Sequence, residues 1–163
     1  MSYFVIIRGP AGVGKSTIAD HIAKAVKGDH ISIDKILDDH KLTEDREQGM
    51  ISSRSFLKAN ELVLRKVKLA LQHRPVIFDG NFYWKSSVDD LISKVGGQYF
   101  VFTLHAGVDT CVARDLSRKK GRIGVDAINA VYNAVTKFDY GIVIDTKNKT
   151  QEQVSEEILG YLP

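Results

Sequence analysis

Five short apolar runs, rich in β-branched and aromatic residues, punctuate the chain: Tyr3–Ile7, His30–Ile33, Pro75–Phe78, Tyr99–Leu104 and Tyr140–Ile144. Their length and residue type predict β-strands. Apolar residues stand at consecutive rather than alternate positions, so each strand expects cover on both faces, as in a parallel sheet between helices. Helical periodicity fills the intervals. The longest interval, Ser53–His73, sets Phe56, Val63, Val67 and Ala70 beside Leu57, Leu64 and Leu71 on one stripe. A second stripe of Ile18, Ile22 and Ala25 follows Lys15, and Thr150 with Gln153 predicts a capping box before the Val154, Ile158, Leu159 face. No linker, repeat or low-complexity tract breaks the alternation, so one α/β domain over residues 1–163 is expected. Two stretches fit the sheet scheme poorly: Lys35–Met50, dense in charge, and Ser117–Gly124, with Arg118, Lys119, Lys120 and Arg122 around Gly121. Both are candidate flaps over a ligand.

Composition narrows the class. Hydrophobic residues make up 44% and charged residues 26%, which excludes a disordered or fibrous chain. The net charge of +3 suits anionic ligands, but 23 basic residues are interleaved with 20 acidic ones, so a nucleic-acid surface is not indicated. A lone cysteine, Cys111, offers neither an internal disulfide nor a zinc site and fits a reducing compartment. No run approaches the ~18 apolar residues of a membrane span, and Tyr3–Ile7 is far shorter than a signal-peptide core. A cytoplasmic protein without a membrane partner is expected.

The most specific chemistry lies directly after the first strand. Gly9-Pro10-Ala11-Gly12-Val13-Gly14-Lys15-Ser16 has glycine, four residues, then Gly-Lys-Ser, and Thr17 continues it. Glycines let such a loop turn its backbone N–H groups inward onto phosphates, Lys15 reaches the β- and γ-phosphates, and the Ser16 hydroxyl can ligate Mg²⁺. The apolar strand before it and the amphipathic helix after it are the setting this phosphate loop needs. ATP and Mg²⁺ are the expected cofactors.

Four further groups bear on the reaction. Val76-Ile77-Phe78-Asp79 is an apolar strand ending in a carboxylate, where a phosphate-loop enzyme keeps the acid that holds the metal. Capping of the next turn is the alternative reading of Asp79. Asp34 follows the second strand, either as a base for an attacking hydroxyl and a group that helps position the metal, or as the cap of the Lys35-Ile36-Leu37 turn. Asp38 and Asp39 are expected in solvent. Arg54, at the start of the long helix, is a candidate grip on an anionic acceptor. Arg114, Arg118 and Arg122 recur at helical or near-helical spacing, with Arg118 and Arg122 the candidates for neutralising charge on the transferring group. Lys147, Asn148 and Lys149 are candidates to border the adenine.

Gly9–Thr17, Asp34, Ile77-Phe78-Asp79-Gly80, Arg114–Arg122 and Val143-Ile144-Asp145-Thr146, in that order, resemble the kinase branch of P-loop proteins, the group of adenylate, shikimate and gluconate kinases, zeta toxins and polynucleotide kinases. The resemblance implies a three-layer α/β/α fold, a five-stranded parallel sheet in the order 2-3-1-4-5, an arginine-bearing lid with Arg114 on the nucleotide, ATP as donor and Mg²⁺ as cofactor. Asp79-Gly80 is similar to the Asp-Gly-Phe-Pro-Arg run of nucleoside monophosphate kinases, but Asn81-Phe82-Tyr83 replaces its last three residues and the arginine is missing. Asp34 resembles the acceptor-side aspartate of kinases that phosphorylate hydroxyl groups. A hydroxyl of a small molecule, a nucleoside or a nucleic-acid end therefore ranks above a nucleoside monophosphate as acceptor, and Asn81, Phe82, Tyr83 and Trp84 are expected to face it. A monomer and a homodimer are both compatible with the sequence. The reading from another class is an ATP-binding regulatory switch. A GTPase is disfavoured because Asn148-Lys149 runs into Thr150-Gln151 rather than completing a guanine motif.

Overall fold

The computed structural model describes residues 2–163. The elements run β1 (Phe4–Arg8), α1 (Lys15–Ala25), β2 (Asp29–Ser32), α2 (Ile33–Asp39), β3 (Arg46–Glu47), β4 (Met50–Ile51), α3 (Ser53–Ala70), β5 (Val76–Gly80), α4 (Lys85–Val95), β6 (Tyr99–His105), α5 (Val108–Ser117), α6 (Val125–Val135), β7 (Ile142–Asp145) and α7 (Gln151–Leu159). The main sheet has the order β2-β5-β1-β6-β7, and its neighbouring strands pair in parallel. In the count of the five apolar runs this is 2-3-1-4-5, as expected.

Consecutive apolar residues in the strands serve two cores. Phe4 and Ile6 of β1, with Val76 and Phe78 of β5, face a cluster built from α2, α3, α4 and α6. Val5, Ile7 and Ile77 point the other way, onto Ile18 and Ile22 of α1 and Val154 and Ile158 of α7. The pleat alternates sides with a period of two, so a strand apolar at every position fills both layers at once. Full burial of a Phe or Ile contributes about 1.5–3 kcal/mol, which makes this pattern a strong determinant of strand position. The capping box at Thr150 and Gln153 forms as read. Ser52 caps α3 by accepting from the Ser55 N–H, and the helix ends at Ala70, three residues before the expected His73.

Register carries the chemistry to one edge. Ile7 and Arg8 of β1 lie beside Asp79 and Gly80 of β5, and Asp79 pairs in turn with Ser32 of β2. The carboxyl ends of three adjacent strands thus share the crevice in which open α/β sheets bind ligands. Lys35–Met50 is not one flap. Lys35 to Asp39 lie in α2, and the segment ends in an antiparallel hairpin, Arg46–Glu47 against Met50–Ile51, turned by Gln48 (φ 53°) and Gly49 (φ 79°). A two-residue turn with both φ positive matches the right-handed twist of its strands. Among the described residues, no helix is long and apolar enough to cross a membrane.

Candidate active site

Glycine geometry explains the loop between β1 and α1. Gly12 (φ 87°) and Gly14 (φ 94°) stand in the left-handed region, and a Cβ on Gly12 would lie 2.7 Å from the Cys111 carbonyl oxygen. The loop therefore fits closely over α5. Gly14 is also the N-cap of α1 and offers no side-chain cap, so the first-turn amides and the positive end of the helix are left for an anion. Lys15 is buried, with its Nζ donating to the Pro10 carbonyl at 3.0 Å. Burial pulls its ammonium below the usual range, while the carboxylates of Asp34 and Asp79 push it back up. Val13 turns its side chain into the α1–α7 core, and Gly9 packs against Leu104, so both shape the loop through the backbone.

A cavity of about 420 Å³ opens over this loop. Ala11, Gly12, Gly14, Lys15, Ser16 and Thr17 form its floor, and Asp34, Asn81, Tyr83 and Arg118 line it as well. Ser16 and Asp79 meet at the cavity floor: Ser16 Oγ donates to Asp79 Oδ1 at 2.9 Å, and Asp79 is buried. Asp79 is not a cap, since α4 starts five residues after Gly80 with Trp84 at its N-cap. Two hard oxygen donors at a helix N-terminus fit Mg²⁺, an ion that keeps waters and phosphate oxygens in most of its positions. No group of three or more His, Cys, Asp or Glu side chains suited to a metal occurs among the described residues.

The capping reading of Asp34 does not hold. Ser32, not Asp34, caps α2: its hydroxyl accepts from the Lys35 N–H at 3.4 Å. Asp34 accepts from the Asn81 N–H at 3.3 Å and lines the cavity. Burial pushes its carboxyl up to about 6, against the pull of Lys15. Burial and the nearby Asp34 push the Tyr83 phenol up to about 12, so that group remains a neutral hydroxyl at pH 7.

Other expected residues lie elsewhere. Phe82 does not face the acceptor: it is fully buried against Phe56, at a φ of 43°. Trp84 turns to the hairpin and donates Nε1–H to the Ile51 carbonyl at 2.8 Å. Arg54 pairs with Asp45 at 3.2 Å in solvent and is not brought to the cavity. The arginine series is not one helical stripe, because α5 ends at Ser117. Arg114 lies against the loop, donating to the carbonyls of Gly12 (3.4 Å) and Val13 (2.9 Å). Arg122 points back along the lid, with Nε donating to the Arg118 carbonyl at 2.6 Å. Asp38, expected in solvent, is exposed but lines the cavity mouth. Lys147, Asn148 and Lys149 form the turn before α7, where Lys149 pairs with Glu157 at 2.7 Å.

Three contributors escaped the sequence. His30 Nε2 is hydrogen-bonded to Asp79 Oδ2, on the side opposite Ser16. Arg8, immediately before the loop, is fully buried and donates to the carbonyls of Val135 (2.8 Å) and Phe138 (3.0 Å) and to Thr103 Oγ1 (3.2 Å). Burial holds its guanidinium down to about 10, partly offset by Asp139. Asp115 is the third, buried at the foot of the lid. Only His30 had a local clue, being two residues before Ser32 on the strand that pairs with Asp79.

Sheet order and phosphate loop together give a three-layer α/β/α P-loop fold. No family model matches the chain. A protein named "Putative adenylate kinase" from Pyrococcus abyssi is 28% identical over 168 aligned positions, covering 97% of this chain and 83% of that one. Among solved structures, a sugar kinase from Janibacter sp. superposes with a TM-score of 0.79 at 15% identity, over 99% of this chain and 94% of its own. A gluconokinase from Sinorhizobium meliloti gives 0.74 at 15% identity, over 96% and 89%.

Proposed function

We propose that this protein is an ATP-dependent phosphotransferase that passes the γ-phosphoryl group to a hydroxyl of a small acceptor. The observation that carries the reading is Asp34: a carboxylate without a capping role, in the same cavity as Lys15, with its carboxyl pushed up to about 6. A base so placed is ionised at neutral pH yet basic enough to take a proton from a hydroxyl as it attacks. Lys15 and the α1 N-terminus would hold the phosphates, and Arg118 would meet charge spreading onto the transferring group. Ser16 and Asp79 would hold Mg²⁺, which when bound neutralises charge between the β- and γ-phosphates. Asn81 and Tyr83 would orient the acceptor, Tyr83 as a neutral hydroxyl.

Phosphoryl transfer to a nucleoside monophosphate is the second reading, favoured by the name of the Pyrococcus relative. The absence of an arginine after Asp79-Gly80 weighs against it. ATP consumption measured across nucleosides, nucleoside monophosphates, sugars, coenzyme precursors and 5′-hydroxyl oligonucleotides tests both. Turnover that rises steeply with one hydroxyl acceptor supports the first reading, and turnover only with a monophosphate replaces it with the second. Nucleotide-dependent capture of a protein partner with no acceptor turnover would make the chain a switch instead.

A further inference from the structure

The lid has a structural base that the arginine pattern does not reveal. α5 ends at Ser117, and the chain leaves the helix as Arg118 donates its N–H to the Asp115 carbonyl at 3.1 Å. A short way further along, it returns to the same residue. The Asp115 carboxylate accepts the Ile123 N–H on Oδ1 and the Gly124 N–H on Oδ2, each at 3.0 Å. Asp115 is only 2% exposed, so its side chain is held in place beneath the exposed loop that it bonds. Arg118–Ile123 is therefore a loop with both feet on one side chain and its backbone. Arg122 braces it from within by donating to the Arg118 carbonyl. The two feet, Arg118 and Ile123, are the lid residues that line the cavity, while Lys119, Lys120 and Gly121 project into solvent.

From this we infer that Asp115 is the positioning residue of the lid: by pinning Ile123 and Gly124 it holds Arg118 over the phosphate site, and it acts on nucleotide binding only through Arg118. The amides and the neighbouring Arg118 and Arg122 guanidinium groups keep its carboxyl below the usual range, so the anion that grips both amides persists at neutral pH. A side chain that acts only through another predicts non-additive losses, since removing the second group leaves the first nothing to position.

The inference rests on the nucleotide-binding half of the proposed function, and its test needs no acceptor. Calorimetry would measure the affinity of a non-hydrolysable ATP analogue with Mg²⁺ for the parent, Arg118→Ala, Asp115→Ala and the double variant. Arg118→Ala takes away one charge-assisted hydrogen bond to phosphate and should lower affinity roughly 10-fold. Asp115→Ala should cost about as much, and the double variant should bind within about twofold of Arg118→Ala alone. Asp115→Asn, which keeps one acceptor oxygen, should recover part of the loss, and it carries the test if the alanine variant does not fold. Parent-like affinity in folded Asp115→Ala, no loss in Arg118→Ala, or losses that multiply in the double variant would overturn the inference while leaving the kinase reading intact. A parent chain that binds no nucleotide removes the kinase reading and this inference with it.

Discussion

At the scale of single residues, Asp34 and Lys15 make separable predictions. Lys15→Ala removes one charged side chain that bonds only to the Pro10 carbonyl within the protein, so the fold should survive and phosphoryl transfer should largely vanish. Turnover and a melting curve on the same sample check this, and near-parental turnover would count against the phosphate-loop assignment. Asp34→Asn should lower kcat by about 10²- to 10⁴-fold while leaving nucleotide affinity close to the parent's, because an amide cannot accept the attacking hydroxyl's proton. The parent's kcat/KM for acceptor should fall as pH drops through about 6, where the base becomes protonated. Stability moves in the opposite direction. With a folded value near 6 against an ordinary 3.8, the folded chain binds a proton that the unfolded chain has already released. The contribution to stability is thus present below about 4 and lost as pH rises through about 6. Asp34→Asn should consequently melt higher than the parent at pH 7.5 and about equally near pH 4, a gain in stability joined to a loss of function. Equal melting at both pH values would place Asp34 in a well-solvated position.

At the scale of elements, the phosphate loop is tied to α5, and Gly12 is where the two meet. Alanine there must adopt φ 87° and put a Cβ 2.7 Å from the Cys111 carbonyl oxygen and 3.2 Å from its Cα, atoms of helix backbone that do not swing aside. Gly12→Ala should lose about 1–3 kcal/mol of stability in denaturant titration and weaken nucleotide binding together. Gly49→Ala, also at positive φ but with no atom within 4 Å of the added Cβ, isolates the backbone strain alone and should cost about 1 kcal/mol or less without touching nucleotide affinity. Equal behaviour of the two would show that the loop tolerates displacement from α5. The contrast also marks what the sequence made legible. Strand sites and the phosphate loop follow from local patterns, because apolar runs and glycine spacing are themselves the physical cause of those features, whereas the sheet order is legible only through the family resemblance. Arg8 was missed because its partners Val135 and Phe138 lie more than a hundred residues away, and a charge at the end of an apolar strand looks like the strand's exit. Residue type alone suggests that Phe82 and Trp84 face an acceptor, whereas Phe82, at a positive φ, buries its ring in the core. The arginine spacing likewise cannot reveal that α5 stops at Ser117 and that Asp115 meets the returning chain at Ile123 and Gly124, because spacing carries no record of those contacts.

At the scale of the whole molecule, the central strand and the segment after the lid are one mechanical unit. Arg8 closes β1 with a guanidinium bonded to the Val135 carbonyl at the end of α6 and to the Phe138 carbonyl beyond it, lying 4.1 Å over the Phe138 ring, and Thr103 on β6 both donates to and accepts from the Tyr140 backbone. Since α6 follows the lid at Gly124, the strand that carries the phosphate loop and the far end of α6 are fixed to the same sheet. Closure is therefore expected in the loop itself and not in a swing of α6. Within that loop the amides of Lys119 to Arg122 hold no hydrogen bond among the described residues, while those of Arg118, Ile123 and Gly124 are already engaged by Asp115. Hydrogen exchange separates these groups, because exchange at an unbonded exposed amide reports ordering directly, whereas a hydrogen-bonded amide is slowed from the start. Addition of Mg²⁺, a non-hydrolysable ATP analogue and an acceptor should slow exchange at Lys119 to Arg122 and leave Ile123, Gly124 and α6 nearly unchanged. That pattern would describe a short loop folding down over a fixed platform and excluding water from the transferring group. Slowing spread evenly through α6 would instead mean that the helix moves and that the Arg8 clamp releases during closure, and no change anywhere between Ser117 and Gly124 would remove the lid from the mechanism.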